Sequence, residues 1–276
     1  MTIDTIVTDL DDTLLNEAGE LSEKSLRVLG ECKRRGIRVI PASGRALASM
    51  RRYVQELHTG LPYIGCNGSQ IVSAAHEILH EAHFEPEDTA AICSFLQENG
   101  FYVQVYSGEH FYYANECDTS MRYQQSSGMN GVSVGDLLAF VRSVRTPKIL
   151  SVNHPEAVQR MRPIAQARFG EKAVFTTSKP FFLEVEPPGV TKGTALRRLA
   201  GMIGIDPEHT LVFGDSLNDL SMLAFTPHSV AVGNARDEVK RQTTYVCGAN
   251  TEDGLARFVQ EHVLNGWTAK DGEAHD

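Results

Sequence analysis

The chain has no apolar run approaching the ~20 residues that span a bilayer. Its first residues, Met1-Thr2-Ile3-Asp4, lack the basic-then-apolar profile of a secretory leader. A cytoplasmic protein with no membrane partner is therefore expected. Positive charge is not in excess either. With 26 basic and 35 acidic residues the formal charge is −9, which opposes nucleic acid as the main partner. A small phosphorylated substrate stays open, because the charge at a site can differ from the total. Cysteine is sparse and odd in number. Cys32, Cys66, Cys93, Cys117 and Cys247 are scattered with no C-x-x-C spacing, so reduced thiols are expected rather than a disulfide framework. There is no internal repeat and no low-complexity tract. What remains is an ordinary globular composition, 42% apolar and 22% charged over 276 residues, enough for one large domain or two smaller ones.

The most informative stretch is Ile6-Val7-Thr8-Asp9-Leu10-Asp11-Asp12-Thr13. A short apolar run reads as a buried strand, and residues i and i+2 of a strand point the same way. Asp9 and Asp11 are thus expected side by side where the strand ends. Two carboxylates so close repel, and one pKa rises unless a cation sits between them. An Asp-rich turn with no further role accounts for this segment equally well.

The rest of the first third alternates. A helix capped by Ser22 carries Leu26, Leu29 and Cys32 on one face, and Gly36 suits the left-handed residue that closes it. Ile37–Ile40 is a strand, and strand–helix–strand at this spacing implies a parallel sheet. Pro41-Ala42-Ser43-Gly44-Arg45 follows, leading into a helix with Leu47, Met50, Val54 and Leu57 on one face. Ser43 is therefore expected at a helix N-terminus, where a hydroxyl and free N–H groups suit an anion; a plain N-cap serine is the simpler alternative. A strand at Tyr63–Cys66 and a hairpin through Gln70–Val72 and Ile78–Leu79 come next.

From about Phe84 the pattern changes, with helices expected at 86–98, 137–144 and 156–169 and strands at 101–106, 110–113, 148–152, 174–175 and 181–185. The first pattern returns with a helix begun by Thr191-Lys192-Gly193 and a strand at Thr210–Phe213 that runs into Gly214-Asp215-Ser216-Leu217-Asn218-Asp219. A helix at Met222-Leu223, a strand at Val230–Val232, a helix through Leu255, Phe258 and Val259, and a frayed tail from Gly266 complete the chain.

Ligands of an open parallel sheet bind at the carboxyl ends of its strands, and three of these strands end in polar loops. Asp9, Asp11, Asp215 and Asp219 supply oxygen donors, with Asn218 beside them. An all-oxygen set suits a hard octahedral cation, so Mg²⁺ is expected as cofactor. Lys192, Ser43 and the Gly44 N–H are placed to neutralise a phosphate next to it.

Together, Asp-Leu-Asp-Asp-Thr, Ser43-Gly44-Arg45, Lys192 and Gly-Asp-Ser-Leu-Asn-Asp resemble the four ordered motifs of the haloacid dehalogenase superfamily. Cys66-Asn67-Gly68, Phe182-Leu183-Glu184-Val185 and Glu252-Asp253-Gly254 resemble its Cof-type phosphatases. Asp12 stands where the family usually has Gly, and Ser43 where it often has Thr. The resemblance implies an α/β fold: a Rossmannoid core with a parallel sheet from residues 1–82 and 187–276, and an inserted α+β cap at 83–186 that closes over the site. It further implies that Asp9 is a nucleophile forming an aspartyl-phosphate and Asp11 the acid and base. Mg²⁺ would be held by Asp9, the Asp11 carbonyl and Asp215, supported by Asp219. The Leu10 N–H, Ser43, Gly44, Lys192 and Asn218 would hold phosphoryl oxygens. Thr13 would order the loop and Asp11, and Arg45 would stand near the substrate.

A Mg²⁺-dependent hydrolase of a small phosphorylated metabolite, foremost a sugar phosphate, is the leading expectation, as a monomer or weak homo-oligomer. A phosphomutase using the same aspartyl-phosphate and a non-catalytic phosphometabolite sensor are the alternatives. His76, His80 and His83 are expected to be solvated histidines, and Tyr102, Tyr106, Phe111, Tyr112 and Tyr113 to pack in the inserted segment.

Overall fold

A computed structural model of the chain describes residues 2–266. Residues 267–276, nearly all of the expected frayed tail, lie outside the described residues. In chain order the first elements are β1 (Thr5–Thr8), α1 (Glu23–Arg34), β2 (Arg38–Pro41), α2 (Leu47–Leu57), β3 (Tyr63–Gly65), β4 (Gln70–Val72) and β5 (Ile78–Glu81). The middle of the chain forms α3 (Pro86–Glu98), β6 (Tyr102–Ser107), β7 (His110–Tyr113), α4 (Asp118–Ser127), β8 (Asn130–Ser133), α5 (Leu137–Phe140), β9 (Ile149–Val152), α6 (Pro155–Phe169), β10 (Val174–Thr176) and β11 (Phe182–Glu186). It ends in α7 (Lys192–Ile203), β12 (Thr210–Gly214), α8 (Leu220–Leu223), β13 (Ser229–Ala231), α9 (Asp237–Lys240), β14 (Tyr245–Val246) and α10 (Gly254–Val259).

β1 lies between β12 and β2 in a parallel sheet of order β14-β13-β12-β1-β2. Alternate residues of its strands feed opposite faces, as the two-residue period of a strand requires. Ile6, Val39, Leu211, Phe213 and Val230 pack with α1, α2 and α10. Val7, Ile40, Val212 and Ala231 pack with α7, α8 and α9. Helices on both faces leave only the strand ends open. Between β1 and its neighbours the chain departs in opposite directions, to β2 on one side and from β12 on the other, and that divergence opens a crevice at the carboxyl edge.

The local signals hold at α1, where the Ser22 hydroxyl accepts the Ser25 N–H at 3.0 Å and Gly36 takes φ +80°. β3 pairs with the hairpin as a separate three-stranded antiparallel sheet, β3-β4-β5, tied to the end of β2 by one parallel bridge, Ala42 to Ile64.

The middle segment builds a six-stranded sheet of order β10-β11-β9-β6-β7-β8. One face packs on α3, α5 and α6 through Phe95, Leu96, Val141, Val158, Met161 and Phe169. The other turns Tyr106, Phe111, Tyr113 and Leu150 toward Ala46 and Cys66 of the first segment, so this face closes on the crevice. Helix α4 and strand β8 are absent from the sequence reading. Of the α4 residues only Ser120 is buried, so the helix has no apolar stripe to betray it. The helix expected at 137–144 is shorter, Leu137–Phe140.

No helix among the described residues is long and apolar enough to cross a membrane. The five cysteines are all unpaired. His76 meets the Tyr63 hydroxyl at 3.0 Å and His83 meets Glu81 at 2.5 Å; the three histidines form no ligand cluster among the described residues.

Candidate active site

β1 ends at Thr8, so Asp9 and Asp11 do not share a strand face as expected. The chain turns at once: the N–H groups of Thr13, Leu14 and Leu15 all donate to the Leu10 carbonyl, at 3.3, 3.0 and 2.8 Å. On this turn each carboxylate meets its own cation. Arg45 grips Asp11 with two hydrogen bonds of 2.7 Å, one to each oxygen. Burial works to raise the Asp11 pKa, and the hydrogen bonds and charge of Arg45 outweigh it, holding the carboxyl below its usual range.

Lys192 is the first residue of α7, whose N-cap Thr191 accepts the Thr194 N–H. That cap aims a fully buried ammonium inward, where it donates to Asp9 and to Asp219, both at 2.6 Å. The other oxygen of Asp219 accepts the N–H groups of Asp215 and Ser216 at 3.0 Å each, locking the loop after β12. Asp215 accepts the Thr13 hydroxyl at 2.8 Å. This corrects the expected partner of Thr13, which orders Asp215 rather than Asp11.

Oxygens of Asp9, Asp215 and Asp219 lie within 4.8 Å of one another. Burial drives the Asp9 pKa well above the carboxylate range, opposed by Lys192 and reinforced by Asp219 and Asp215. Burial and the Asp219 charge bring Asp215 to about 8. Crowded, repelling oxygen donors with no soft ligand among them fit a hard divalent cation. The Asp11 carboxylate, taken up by Arg45, is not one of this trio, and its expected contribution is through the main-chain carbonyl.

The loop after β2 departs from expectation. α2 starts only at Leu47 with Ala46 as its N-cap, so Ser43 is not at a helix N-terminus. Its hydroxyl instead accepts the Arg45 N–H at 3.2 Å, and its own N–H donates to the Ile64 carbonyl at 2.9 Å. Both bonds hold Ser43 and Gly44 in a fixed turn above β2.

Four residues without an assigned role in the sequence reading stand behind that turn. Lys148 donates to the Gly44 carbonyl at 2.7 Å and to Glu184 at 2.5 Å. Asn67 donates to Glu186 at 2.7 Å, and Asn218 donates to Asn67 at 3.0 Å. Burial favours a proton on Glu184, but the charge and hydrogen bond of Lys148 hold its pKa low. Burial and the neighbouring Glu184 raise Glu186 to about 8, against the pull of Lys148. The alternation Glu184-Val185-Glu186 in a buried strand is the available signal, since it places two acids on one face.

A cavity of about 550 Å³ joins these groups. Asp9, Asp11, Ser43, Gly44, Arg45, Asp215 and Asn218 line it together with Tyr123, Lys148, Phe182 and Glu184 of the middle segment. Leu10, Thr13, Lys192 and Asp219 are buried around it, so all the residues expected at the site converge on one place.

The sequence profile of the haloacid dehalogenase-like hydrolases matches residues 6–259. A 5-amino-6-(5-phospho-D-ribitylamino)uracil phosphatase of Bacillus subtilis is 26% identical over 95% of this chain and 98% of its own. A pyridoxal phosphate phosphatase of Escherichia coli is 26% identical over 96% of this chain and 100% of its own. The crystal structure of a haloacid dehalogenase-like hydrolase from Bacteroides thetaiotaomicron superposes with a TM-score of 0.83 at 28% identity, covering 94% of this chain and 99% of that one. With the profile matched across almost the whole sequence and the fold matched end to end, this chain belongs to the haloacid dehalogenase-like hydrolase family.

Proposed function

We propose that the chain is a Mg²⁺-dependent phosphatase of the Cof type that hydrolyses a small phosphorylated metabolite, foremost a sugar phosphate, through an aspartyl-phosphate on Asp9. The observation that carries this reading is the buried Asp9–Lys192–Asp219 contact beside Asp215, set at a polar cavity of metabolite size. The two relatives named for the phosphate esters they hydrolyse support a small phosphorylated substrate. Asp9, Asp215 and the Asp11 carbonyl would hold the cation, which when bound withdraws charge from the phosphoryl group and screens one anion from another.

The residues then divide the work. An Asp9 oxygen attacks phosphorus as the bond to the leaving oxygen breaks, and Asp11 gives that oxygen a proton. In the second half Asp11 takes a proton from water, whose oxygen attacks phosphorus and frees Asp9. The pairing with Arg45 keeps Asp11 ionised, as the water step needs; the first step requires Arg45 to loosen its hold. Lys192, the Ser43 hydroxyl and the N–H groups of Leu10 and Gly44 hold the phosphoryl oxygens, and Asn218 adds a further contact. Residues 83–186 act as the cap, closing the Tyr123, Phe182 and Lys148 side over the substrate and excluding bulk water. The protein works in the cytoplasm, as a monomer or weak oligomer.

Phosphate release from a panel of hexose and pentitol phosphates, pyridoxal phosphate and nucleoside monophosphates tests this, with Mg²⁺ or with EDTA. Release that stops in EDTA is expected. A folded protein that frees phosphate from no member, or that only moves it between hydroxyls of one sugar, would sink the proposal.

Gly44 offers a sharper prediction. A Cβ there would come within 2.8 Å of the Asn67 carboxamide oxygen and 3.1 Å of a Glu184 oxygen. Gly44→Ala is expected to keep the fold, since both neighbours are side-chain tips, yet to lower kcat/KM by about tenfold or more by shifting the phosphate loop. Steady-state kinetics with a circular dichroism control decides it.

A further inference from the structure

Behind the cavity wall, Asn218, Asn67 and Glu186 form a three-member chain of hydrogen bonds that ends in the site. Asn218 lines the cavity at 8% exposure, whereas Asn67 (2%) and Glu186 (1%) lie wholly behind it. The chain can run in two directions, because a carboxamide presents an acceptor at one end and a donor at the other. If Glu186 is ionised it only accepts. Asn67 then donates to it and accepts from Asn218, so Asn218 turns its oxygen to the site. That oxygen is buried and has no partner. If Glu186 carries a proton it donates to the Asn67 oxygen, Asn67 donates to the Asn218 oxygen, and the Asn218 NH₂ faces the site. The second direction satisfies the orphaned oxygen and offers an N–H donor, which is what a phosphoryl oxygen requires; the first offers an oxygen, which a phosphate repels.

We propose that Glu186 is a positioning residue whose proton, relayed through Asn67, sets Asn218 to present its amide N–H to the phosphoryl group, and whose loss reverses the relay and weakens phosphate binding. The inference rests on the phosphatase reading and adds a switch to it. Asn67 is buried and hydrogen-bonded at both ends of its carboxamide, so turning end for end exchanges its donor and acceptor between the same two partners.

The groups facing Glu186 make it the one that titrates. Lys148, just before β9, is kept charged, because the neighbouring carboxylates, Glu184 foremost, outweigh its burial. Glu184, on the same strand as Glu186, is held ionised by Lys148. Lys192 on α7 is likewise kept charged, because Asp219 and Asp9 outweigh its burial. The Cys66 thiol, next to Asn67, is pushed by burial to about 12 and is neutral. With these fixed, the two acids and one nearby ammonium of this layer are best balanced by a single shared negative charge, and the proton falls to the acid that Lys148 does not touch.

Glu186→Gln tests the relay, because glutamine keeps the shape and a donor but cannot ionise. Between about pH 6.5 and about pH 9.5 the wild-type kcat/KM is expected to fall about tenfold or more, the worth of one charge-assisted hydrogen bond. The Gln variant is expected to lose that part of the fall. Asp215 is present in both proteins, so the comparison isolates Glu186. Parallel profiles for the two proteins would overturn the proposal. A second readout needs no substrate. In the wild type with MgCl₂, inorganic phosphate is expected to shift the Asn218 side-chain NH₂ resonance at the lower pH and not at the higher, and in Glu186→Gln at both. No shift at the lower pH would overturn the relay even if esters are hydrolysed. A shift without turnover of any ester would overturn the hydrolase reading alone.

Discussion

Asp9→Asn is expected to lower phosphate release by about 10⁴-fold or more while the protein melts no earlier than the wild type. The loss follows from the proposed role of Asp9 as the group that takes the phosphoryl group covalently, since nucleophile deletions cost about this much. The unchanged melting follows from electrostatics. Burial holds the folded-state pKa of Asp9 well above its ordinary value. The native state therefore holds this proton to higher pH than the unfolded chain does, and this group's contribution to stability is lost as pH rises through the folded pKa. Asparagine does not ionise, keeps an oxygen for the Lys192 ammonium, and removes that pH-dependent loss. Phosphate release and thermal unfolding in EDTA measure the two halves separately. Residual turnover above about 1% of wild type in a variant of native stability would show that another group is the nucleophile.

Lys192→Met carries the largest expected cost in stability. The ammonium is fully buried and touches two carboxylates at 2.6 Å, one of which, Asp219, also accepts the Asp215 and Ser216 N–H groups. Deleting one member of a buried ion pair leaves an uncompensated charge, worth about 3–5 kcal/mol. The sign with pH is definite. Lys192 opposes the upward shift at Asp9, so without it Asp9 holds its proton to still higher pH in the folded state, and stability falls as pH rises above the ordinary carboxylate range. Urea unfolding at about pH 5.5 and about pH 7.5 should show the larger deficit at the higher pH. An equal deficit at both would mean that lost packing, not lost charge, sets the cost.

Much of this site is legible in the sequence because its parts are placed by local rules. β1 is an apolar run broken by acids, Ser22 caps α1, and Thr191 caps α7 at the residue that aims Lys192 inward. What the sequence conceals are the pairings made across the fold. Thr13 lies two residues from Asp11 but bonds to Asp215, 202 positions away, and no local pattern distinguishes those partners. Ser43 reads as a cap because Pro41 and Leu47 bracket a helix start, yet its hydroxyl is used within its own turn. α4 is concealed for a different reason: it has no apolar stripe and is anchored by one ring, Tyr123, packed against Tyr106, Phe111 and Phe182. Glu184 and Glu186 stand on one face of a strand, but nothing local says that Lys148 and Asn67 are brought against them.

The turn after β1 has a consequence for the charge at the site. Asp12 takes φ +58°, and its carbonyl is held by Asn234 at 2.7 Å. Glycine, usual at this point in the family the chain resembles, relaxes that left-handed backbone but frees the unfolded chain, while aspartate accepts some strain and restricts it. The opposing effects are each about 1 kcal/mol or less. The exchange is therefore nearly neutral for stability, and what aspartate adds is a further carboxylate that raises Asp215 at the mouth of the site. One side chain thereby couples the backbone of this turn to the charge of the site.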